Sequence, residues 1–374
     1  MHPSSLVSYY PNYSILDEIV SYGDYKKINL FLDLKNNLQT IYMEHAVLGI
    51  VEASKRSRYL DTSVFSSIIS FLSFHKIYGL KRGIDFSFYI FFETGESYYH
   101  KNLSKAYKIS RKVDNLYGLA RSDRDLFIET IQSNYQLIEK ACNRIPNIYV
   151  IRLHHLEADF IPYYLITRNL VDQDQKTVNL IYSNDHDLWQ CVNEKTYIFS
   201  KTQYKKEIIR CGTIMERFLK RRNNIPDSYL PLAMAVIGDS GDDVEGIKGI
   251  GPSRFLELFP SLREIIGDMN EIYDKVESGL PLFPDNCSFP NKYLELIKEE
   301  EERNSVVSRN LKMVSFELLS RELESPTKTE MLDRKKHIHQ CISSKQTSSV
   351  EQLRDALLKV GVTLEDSSIE VLYI

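Results

Sequence analysis

The stretch Ile28-Asn29-Leu30-Phe31-Leu32-Asp33 decides how the rest of the chain is read. It is a short apolar run closed by a carboxylate, as expected of a strand buried within a sheet. Working outward, the run 86–92 (FSFYIFF) ends at Glu93, Asn147–Leu153 forms a third, and Thr177–Tyr182 runs into Ser183-Asn184-Asp185-His186-Asp187. Helical spacing fills the intervals: residues 34–81 through LGIVEA and VFSSIISFLSF, then 125–142, then Ala158–Arg168. Strands alternating with helices predict an α/β fold with a mostly parallel, twisted sheet flanked by helices.

Further from that core the texture changes twice. Residues 94–127 are rich in Lys, Arg, Tyr and Ser and carry no thick apolar face. After about residue 226 comes a helix over 228–238, then the glycine-rich GDSGDDVEGIKGIGPSR at 238–254 and a helix through Phe255–Leu258. Residues 290–323 read as helical and charged, and their acidic run KEEEER at 298–303 as a solvated face. The segment 324–350 reads as a polar loop and EQLRDALLKVGV (351–362) as a last short helix.

The chain has 374 residues, 43% hydrophobic and 26% charged, which is enough for a full-sized core. A formal net charge of -4 means that any polyanion must be met by a local cluster of Lys and Arg. Five scattered cysteines without a C-x-x-C pair argue against thiolate zinc and against a disulfide framework. The N-terminus lacks the basic head and apolar core of a signal peptide, and no run has membrane-spanning length. The expectation is a cytoplasmic chain with no membrane association.

Acids recur where strands end. Asp33, Glu93, the pair Glu157 and Asp159, and the pair Asp185 and Asp187 all follow apolar runs, and Asp239 and Asp242 open the glycine-rich segment. Open parallel sheets bind ligands beyond their carboxyl ends, so these acids are expected to share one crevice. Crowded carboxylates repel unless cations or protons neutralise them, and oxygen-only donors select hard ions such as Mg²⁺ or Mn²⁺. Each acid also has a plainer reading. Asp33 could cap a helix, and Glu157 and Asp159 could decorate a first helical turn. His186, lying between alternating acids, should point away from them.

Gly246-Ile247-Lys248-Gly249-Ile250-Gly251-Pro252-Ser253 reads as the turn of a helix–hairpin–helix. Glycines permit positive φ, and free N–H groups at the next helix start can grip a phosphate. Lys248, Ser253 and Arg254 would assist. A tight interhelical turn without a ligand is the competing reading. The tract 94–127 interleaves Lys101, Lys105, Lys108, Arg111, Lys112, Arg121 and Arg124 with Tyr98, Tyr99, Tyr107 and Tyr117, a composition suited to phosphates and unpaired bases.

With these motifs in order, the chain resembles the flap endonuclease superfamily over about residues 28–320. The likeness is to phage 5′→3′ exonucleases and the 5′-nuclease domain of bacterial DNA polymerase I. GDSGDDV followed by GIKGIGPSR is similar to the family's GDSSDN-to-GVPGVG signature, and Leu156-Glu157-Ala158-Asp159 to its EAD motif. Asn184-Asp185-His186-Asp187 resembles its D-x-D, and Tyr107-Lys108-Ile109-Ser110-Arg111 its Y-K-x-x-R element. Three positions depart from the pattern. Glu93 stands where Asp is usual, Phe160 where bacterial members often carry a further Asp, and Leu34-Lys35 where Gly usually follows the first acid.

The resemblance implies a PIN-like nuclease domain over 1–225 with a helical gateway at about 94–127. It also implies a helix–hairpin–helix (helix-three-turn-helix) duplex-binding module over 226–303 and a C-terminal helical segment with tail over 304–374. Two Mg²⁺ or Mn²⁺ ions would sit among Asp33, Glu93, Glu157, Asp159, Asp185 and Asp187, with Asp239 and Asp242 in support. Lys108 and Arg111 would be catalytic, stabilising charge on the scissile phosphate. Lys101, Lys105, Tyr107, Lys112, Gly246, Lys248, Gly249, Gly251, Ser253 and Arg254 would contact nucleic acid, and K⁺ would sit at the Gly246–Ser253 turn. The implied substrates are DNA with a 5′ flap or 5′ end and RNA–DNA primer hybrids, cut by a monomer that works beside other replication proteins. Two alternatives stay open: a DNA-junction-binding protein with a degenerate site, and a PIN-type ribonuclease.

Overall fold

A computed structural model describes residues 13–47, 58–108, 121–201, 206–284, 289, 291–343, 347–359 and 369–374. Helix α1 (Tyr13–Ser21) precedes strand β1 (Lys27–Asp33), which runs directly into α2 (Leu34–Val47). Next come α3 (Arg58–Arg82), β2 (Asp85–Thr94), α4 (Tyr98–Leu103), α5 (Arg121–Cys142), β3 (Ile148–His154), α6 (Ile161–Thr167) and β4 (Thr177–Tyr182). Two more strands, β5 (Thr196–Lys201) and β6 (Lys206–Ile209), complete a six-stranded sheet of order β3-β2-β1-β4-β5-β6. Every neighbouring pair is parallel except β5 with β6.

This order places a topological switch between β1 and β4, since chain connections leave β1 toward one edge and β4 toward the other. A crevice forms beyond the carboxyl ends at such a switch. Asn37 spans it, its side-chain amide donating to the carbonyls of Asp33 (2.6 Å) and Tyr182 (3.0 Å). Register aligns the strand ends: Asp33 lies opposite Phe91, Leu32 opposite Tyr182, and Glu93 opposite Leu153.

The strands are apolar on both faces because both are covered. Ile28, Leu30 and Leu32 face one core with Phe88, Ile90 and Leu180, while Phe31, Tyr89, Phe91 and Ile181 face the other. Asp33 and Glu93 share the parity of Phe31 and Phe91, so they emerge on that second face. Its core continues without a break into the helices that follow: α7 (Ile214–Leu219), α8 (Leu230–Ile237), α9 (Pro252–Ile266), α10 (Met269–Ser278), α11 (Lys292–Asn304), α12 (Val306–Val314), α13 (Phe316–Glu324) and α14 (Thr329–Ser343). Helix α15 (Val350–Lys359) instead packs Leu353 and Leu357 on the first face.

The expected strands and the helices over 125–142 and 228–238 are present, and helices fill the described parts of 34–81, while LGIVEA at 48–53 lies outside the described residues. Strands β5 and β6 are an addition that the apolar runs did not signal. The polar segment 324–350 contains the helix α14, which buries only Met331 and Ile338. KEEEER is not wholly a solvated face. Glu301 is buried and its carboxylate accepts from the N–H groups of Val307 (2.6 Å) and Ser308 (3.0 Å), capping α12. The helix expected over 158–168 starts late, at Ile161, so Glu157 and Asp159 sit in a loop rather than on a helical turn. Among the described residues no helix is long and apolar enough to cross a membrane.

Candidate active site

Asp33 is the last residue of β1 and, through Oδ1, accepts the N–H of Asn36 (3.0 Å), so it does cap α2 as its plainer reading required. Its Oδ2 accepts from the Ser183 hydroxyl (2.7 Å) across the switch point. Burial, opposed by these hydrogen bonds and reinforced by the charges of Asp185 and Glu93, pushes its carboxyl up to about 7. Burial also raises Asp159, with Asp185, Glu93, Asp33 and Glu157 adding repulsion, and it raises Asp187, with Asp185, Asp242 and Asp239 adding theirs. Asp185 is raised by burial and by Asp242, although Asp187 N–H donates to it (3.0 Å). Acids from three strand ends, the 157–159 loop and the glycine-rich hairpin therefore share one field, as the order of motifs predicted.

Two lysines divide this cluster. Lys108 Nζ lies 2.5 Å from Glu157 Oε1 and 3.1 Å from Asp242 Oδ2. Burial alone would raise Glu157, but Lys108 overrides it, with His100 and Lys35 assisting, and draws the carboxyl down to about 2. Lys35 Nζ lies 2.5 Å from Glu93 Oε1, and Glu93 raises the pKa of that ammonium. The four aspartates at 33, 159, 185 and 187 have no lysine or arginine partner at ion-pair distance among the described residues.

Tyr107 corrects the sequence reading. Its motif predicts a ring facing nucleic acid, yet it is 3% exposed, stacked on His100 with centroids 4.7 Å apart. Its hydroxyl donates to Glu157 Oε2 and to Asp242 Oδ2, both at 2.9 Å. Burial and the two neighbouring carboxylates raise its pKa well above the ordinary tyrosine value, so it remains a donor. His100 is itself fixed by Ser97 (2.7 Å) and by the Met313 carbonyl (3.0 Å), which ties the base of the 94–127 tract to α12. Lys101 is also occupied internally, donating to the Tyr107 carbonyl. Lys105 is exposed, while Arg111 and Lys112 lie outside the described residues. His186 is exposed, as expected for a residue between alternating acids.

The glycine-rich segment folds as a two-stranded hairpin, β7 (Gly238–Asp239) with β8 (Val244–Glu245), followed by a turn into α9. The backbone of Lys108 donates to the Asp242 carbonyl (3.1 Å), locking the hairpin to the 107–108 turn. Asp239 stands at the rim and binds the Gly241 N–H (2.8 Å). Packing requires the glycine at 246, since a Cβ there would lie 2.1 Å from the carbonyl carbon and oxygen of Ile237. Asn310 donates to the Ala235 and Glu245 carbonyls, each at 2.8 Å, and so fastens the crossing from α12. Gly249 has φ +88° and open space around it, and Lys248, Pro252 and Ser253 are exposed beside it. Gly251 is the residue before α9, and Arg254 stacks over Tyr293 at 3.8 Å.

Sequence reasoning missed Lys35, Ser183, His100 and Asn310. Lys35 carried a signal, since it follows Leu34 where the resembling family usually has Gly; the others stand among other polar residues and nothing in the sequence set them apart. Phe160, at the second departure, is fully buried in the core. A larger hollow of about 1230 Å³ opens beside β3, between Glu139, Ile148, His337 and Gln352, and holds none of these acids.

Divalent ions fit the residues in one specific respect. Asp187 Oδ1 is buried without a hydrogen-bond partner, amid carboxylates that repel one another. Among the described residues no three acids, histidines or cysteines are gathered tightly enough to form a finished ion cage. Both glutamates lie at ion-pair distance from a lysine, and the four aspartates do not among the described residues.

No protein-family profile matches the chain. Among curated proteins, the 5′-3′ exonuclease of Mycoplasma genitalium is 28% identical over 134 residues, 36% of this chain and 40% of that protein. The 5′-3′ exonuclease of Aquifex aeolicus is 26% identical over 148 residues, 39% of this chain and 47% of that protein. The matched regions thus span less than two thirds of those relatives. Among solved structures, the D15 protein of bacteriophage T5 co-crystallised with metal ions superposes with TM-score 0.58 at 17% identity, covering 84% of this chain and all of that one. T5 D15 flap endonuclease in a complex with DNA and metal ions gives TM-score 0.54 at 18% identity, covering 85% and 100%. In its PIN-like fold, its motif order and these relatives, the chain is similar to proteins of the flap endonuclease and 5′→3′ exonuclease superfamily.

Proposed function

We propose that this chain is a structure-specific 5′ nuclease that hydrolyses phosphodiesters of DNA or RNA primers with divalent cations during replication or repair. The observation that carries this reading is the acid cluster at the sheet's switch point, bordered by Lys108 and joined to the glycine hairpin through Asp242. Bound divalent ions, Mg²⁺ or Mn²⁺ as a pair, supply a nucleophile from water at neutral pH and neutralise the departing oxygen. Asp33, Asp159, Asp185 and Asp187 would hold them, with Asp239 and Asp242 supporting from the hairpin. Lys108 would shift from Glu157 toward the scissile phosphate and stabilise its developing charge. Tyr107 holds Glu157 and Asp242 in place meanwhile.

The turn at Gly249 with exposed Lys248 and Ser253 suits a sequence-independent grip on duplex backbone, with K⁺ as a further occupant. Lys105 and the basic residues beyond it would meet the single strand. A 5′ flap, a 5′ end or an RNA–DNA primer hybrid combines both elements, and a monomer in the cytoplasm suffices.

A labelled 5′-flap DNA, an RNA–DNA hybrid and single-stranded RNA, each with Mg²⁺, Mn²⁺ or chelator, test the proposal. Junction-proximal cleavage that chelator abolishes is expected, and Asp185→Ala should end cleavage while flap binding persists. The second reading, a junction binder with a degenerate site, draws on the occupation of Glu93 by Lys35. Flap DNA that binds but stays intact in both metals would establish it, and cutting of single-stranded RNA alone would indicate a ribonuclease.

A further inference from the structure

We propose that Lys35 contacts a substrate phosphate and that Glu93 holds it in position, so that Glu93 serves a lysine rather than a divalent ion. The inference rests on the nuclease reading for its substrate and on geometry for everything else. Lys35 follows Asp33 by two residues in the first turn of α2, so its stem rises beside the acid cluster. Its ammonium lies 2.5 Å from Glu93, and its side chain remains 53% exposed while that of Glu93 is 15% exposed. Lys35 is anchored at its tip and open to anything entering the crevice.

The departure from the family pattern at position 93 then has a geometric reason. An aspartate at 93 would be one methylene, about 1.5 Å, too short to reach the ammonium where it stands. The remaining acids support the assignment. Lys108 engages Glu157 and Asp242, whereas the aspartates at 33, 159, 185 and 187 supply oxygen donors without needing Glu93. Lys35 and Lys108 are thus two ammoniums bordering one group of aspartates, an arrangement that can receive a phosphodiester from two sides. An ammonium carries three N–H donors, so Lys35 can keep Glu93 and still donate to a phosphate oxygen as the substrate enters.

The test measures binding alone. Anisotropy of a labelled 5′-flap DNA with the full chain in chelator, over a range of KCl, gives affinity and its salt slope. Calorimetric titration of Mn²⁺ without DNA gives ion affinity. Lys35→Met should weaken DNA binding several-fold and lower the log–log salt slope by about 0.7–0.9, one phosphate contact. Lys35→Arg should keep the wild-type slope, and Glu93→Gln should leave Mn²⁺ affinity within about twofold. An unchanged slope in Lys35→Met, or a loss of Mn²⁺ affinity on the order of tenfold or more in Glu93→Gln, would overturn the assignment. A wild-type chain that never cleaves removes the nuclease reading and leaves this binding result to be judged separately.

Discussion

Tyr107 and Lys108 act on the same two acids by different means. The lysine supplies charge to Glu157 and Asp242, and the tyrosine supplies a neutral donor fixed by its stack on His100. Removing only the hydroxyl leaves the ring's packing intact while unbinding both carboxylates, each hydrogen bond being worth about 1 kcal/mol or somewhat more when charged. Tyr107→Phe is therefore expected to lower turnover on flap DNA on the order of tenfold, with flap affinity unchanged within twofold. The opposite outcome, lost affinity with preserved turnover, would restore the base-stacking role that the sequence suggested. The residue type and motif of Tyr107 were legible in the chain. Its direction was not, because a buried hydroxyl between two acids and an exposed ring beside a base look alike in sequence.

Among the elements, the hairpin of 238–245 and its return past α8 show why glycines that resemble one another do different things. Gly246 packs against the carbonyl of Ile237, where backbone cannot give way, whereas Gly249 meets nothing and needs only its positive φ. Gly246→Ala should cost about 2–4 kcal/mol of stability through backbone displacement. Gly249→Ala should cost about 1–2 kcal/mol through its left-handed conformation. Urea denaturation of both variants checks the order. Equal stability with reduced duplex affinity in Gly246→Ala would instead make that glycine a phosphate contact. Helix boundaries at the C-terminal end follow the same logic. One charged helical stretch over 290–323 divides into three because Ser305 takes a left-handed conformation (φ 49°) and Ser315 caps α13.

Across the whole molecule, the carboxylates set stability against function. The Asp33 carboxyl is pushed up to about 7 in the folded chain against 3.8 for the free side chain, and Asp159 and Asp187 are likewise raised well above the ordinary value. The folded chain thus holds protons that the unfolded chain has lost. Stability from this source is complete below about pH 3.8 and drains as pH rises through about 7. Near pH 7.5 Asp33 is mostly ionised among neighbouring carboxylates, and a divalent cation that binds only the folded chain should offset the repulsion. Mn²⁺ at about a hundred times its dissociation constant would add about 2.7 kcal/mol. The expected result is a thermal midpoint raised by several degrees with Mn²⁺ at pH 7.5 and by much less at pH 5, where protons compete. A midpoint indifferent to Mn²⁺ at pH 7.5 would count against ion binding by these aspartates.

The sequence by itself determined the buried strands, because four apolar runs long enough for a covered strand and too short for a helix leave little choice. It also determined that acids follow them and that the chain resembles one superfamily. Strands β5 and β6 escaped notice, since pairing with β4 and with each other rather than composition defines them. The tertiary structure alone decided how the acids are shared. That two glutamates answer to lysines while four aspartates are left to one another depends on distances between residues far apart in the chain. Lys35 and Glu93 are 58 positions apart and Lys108 and Glu157 are 49 apart, yet each pair closes to 2.5 Å. Charge pairing falls off with distance in space, and only the fold sets that distance.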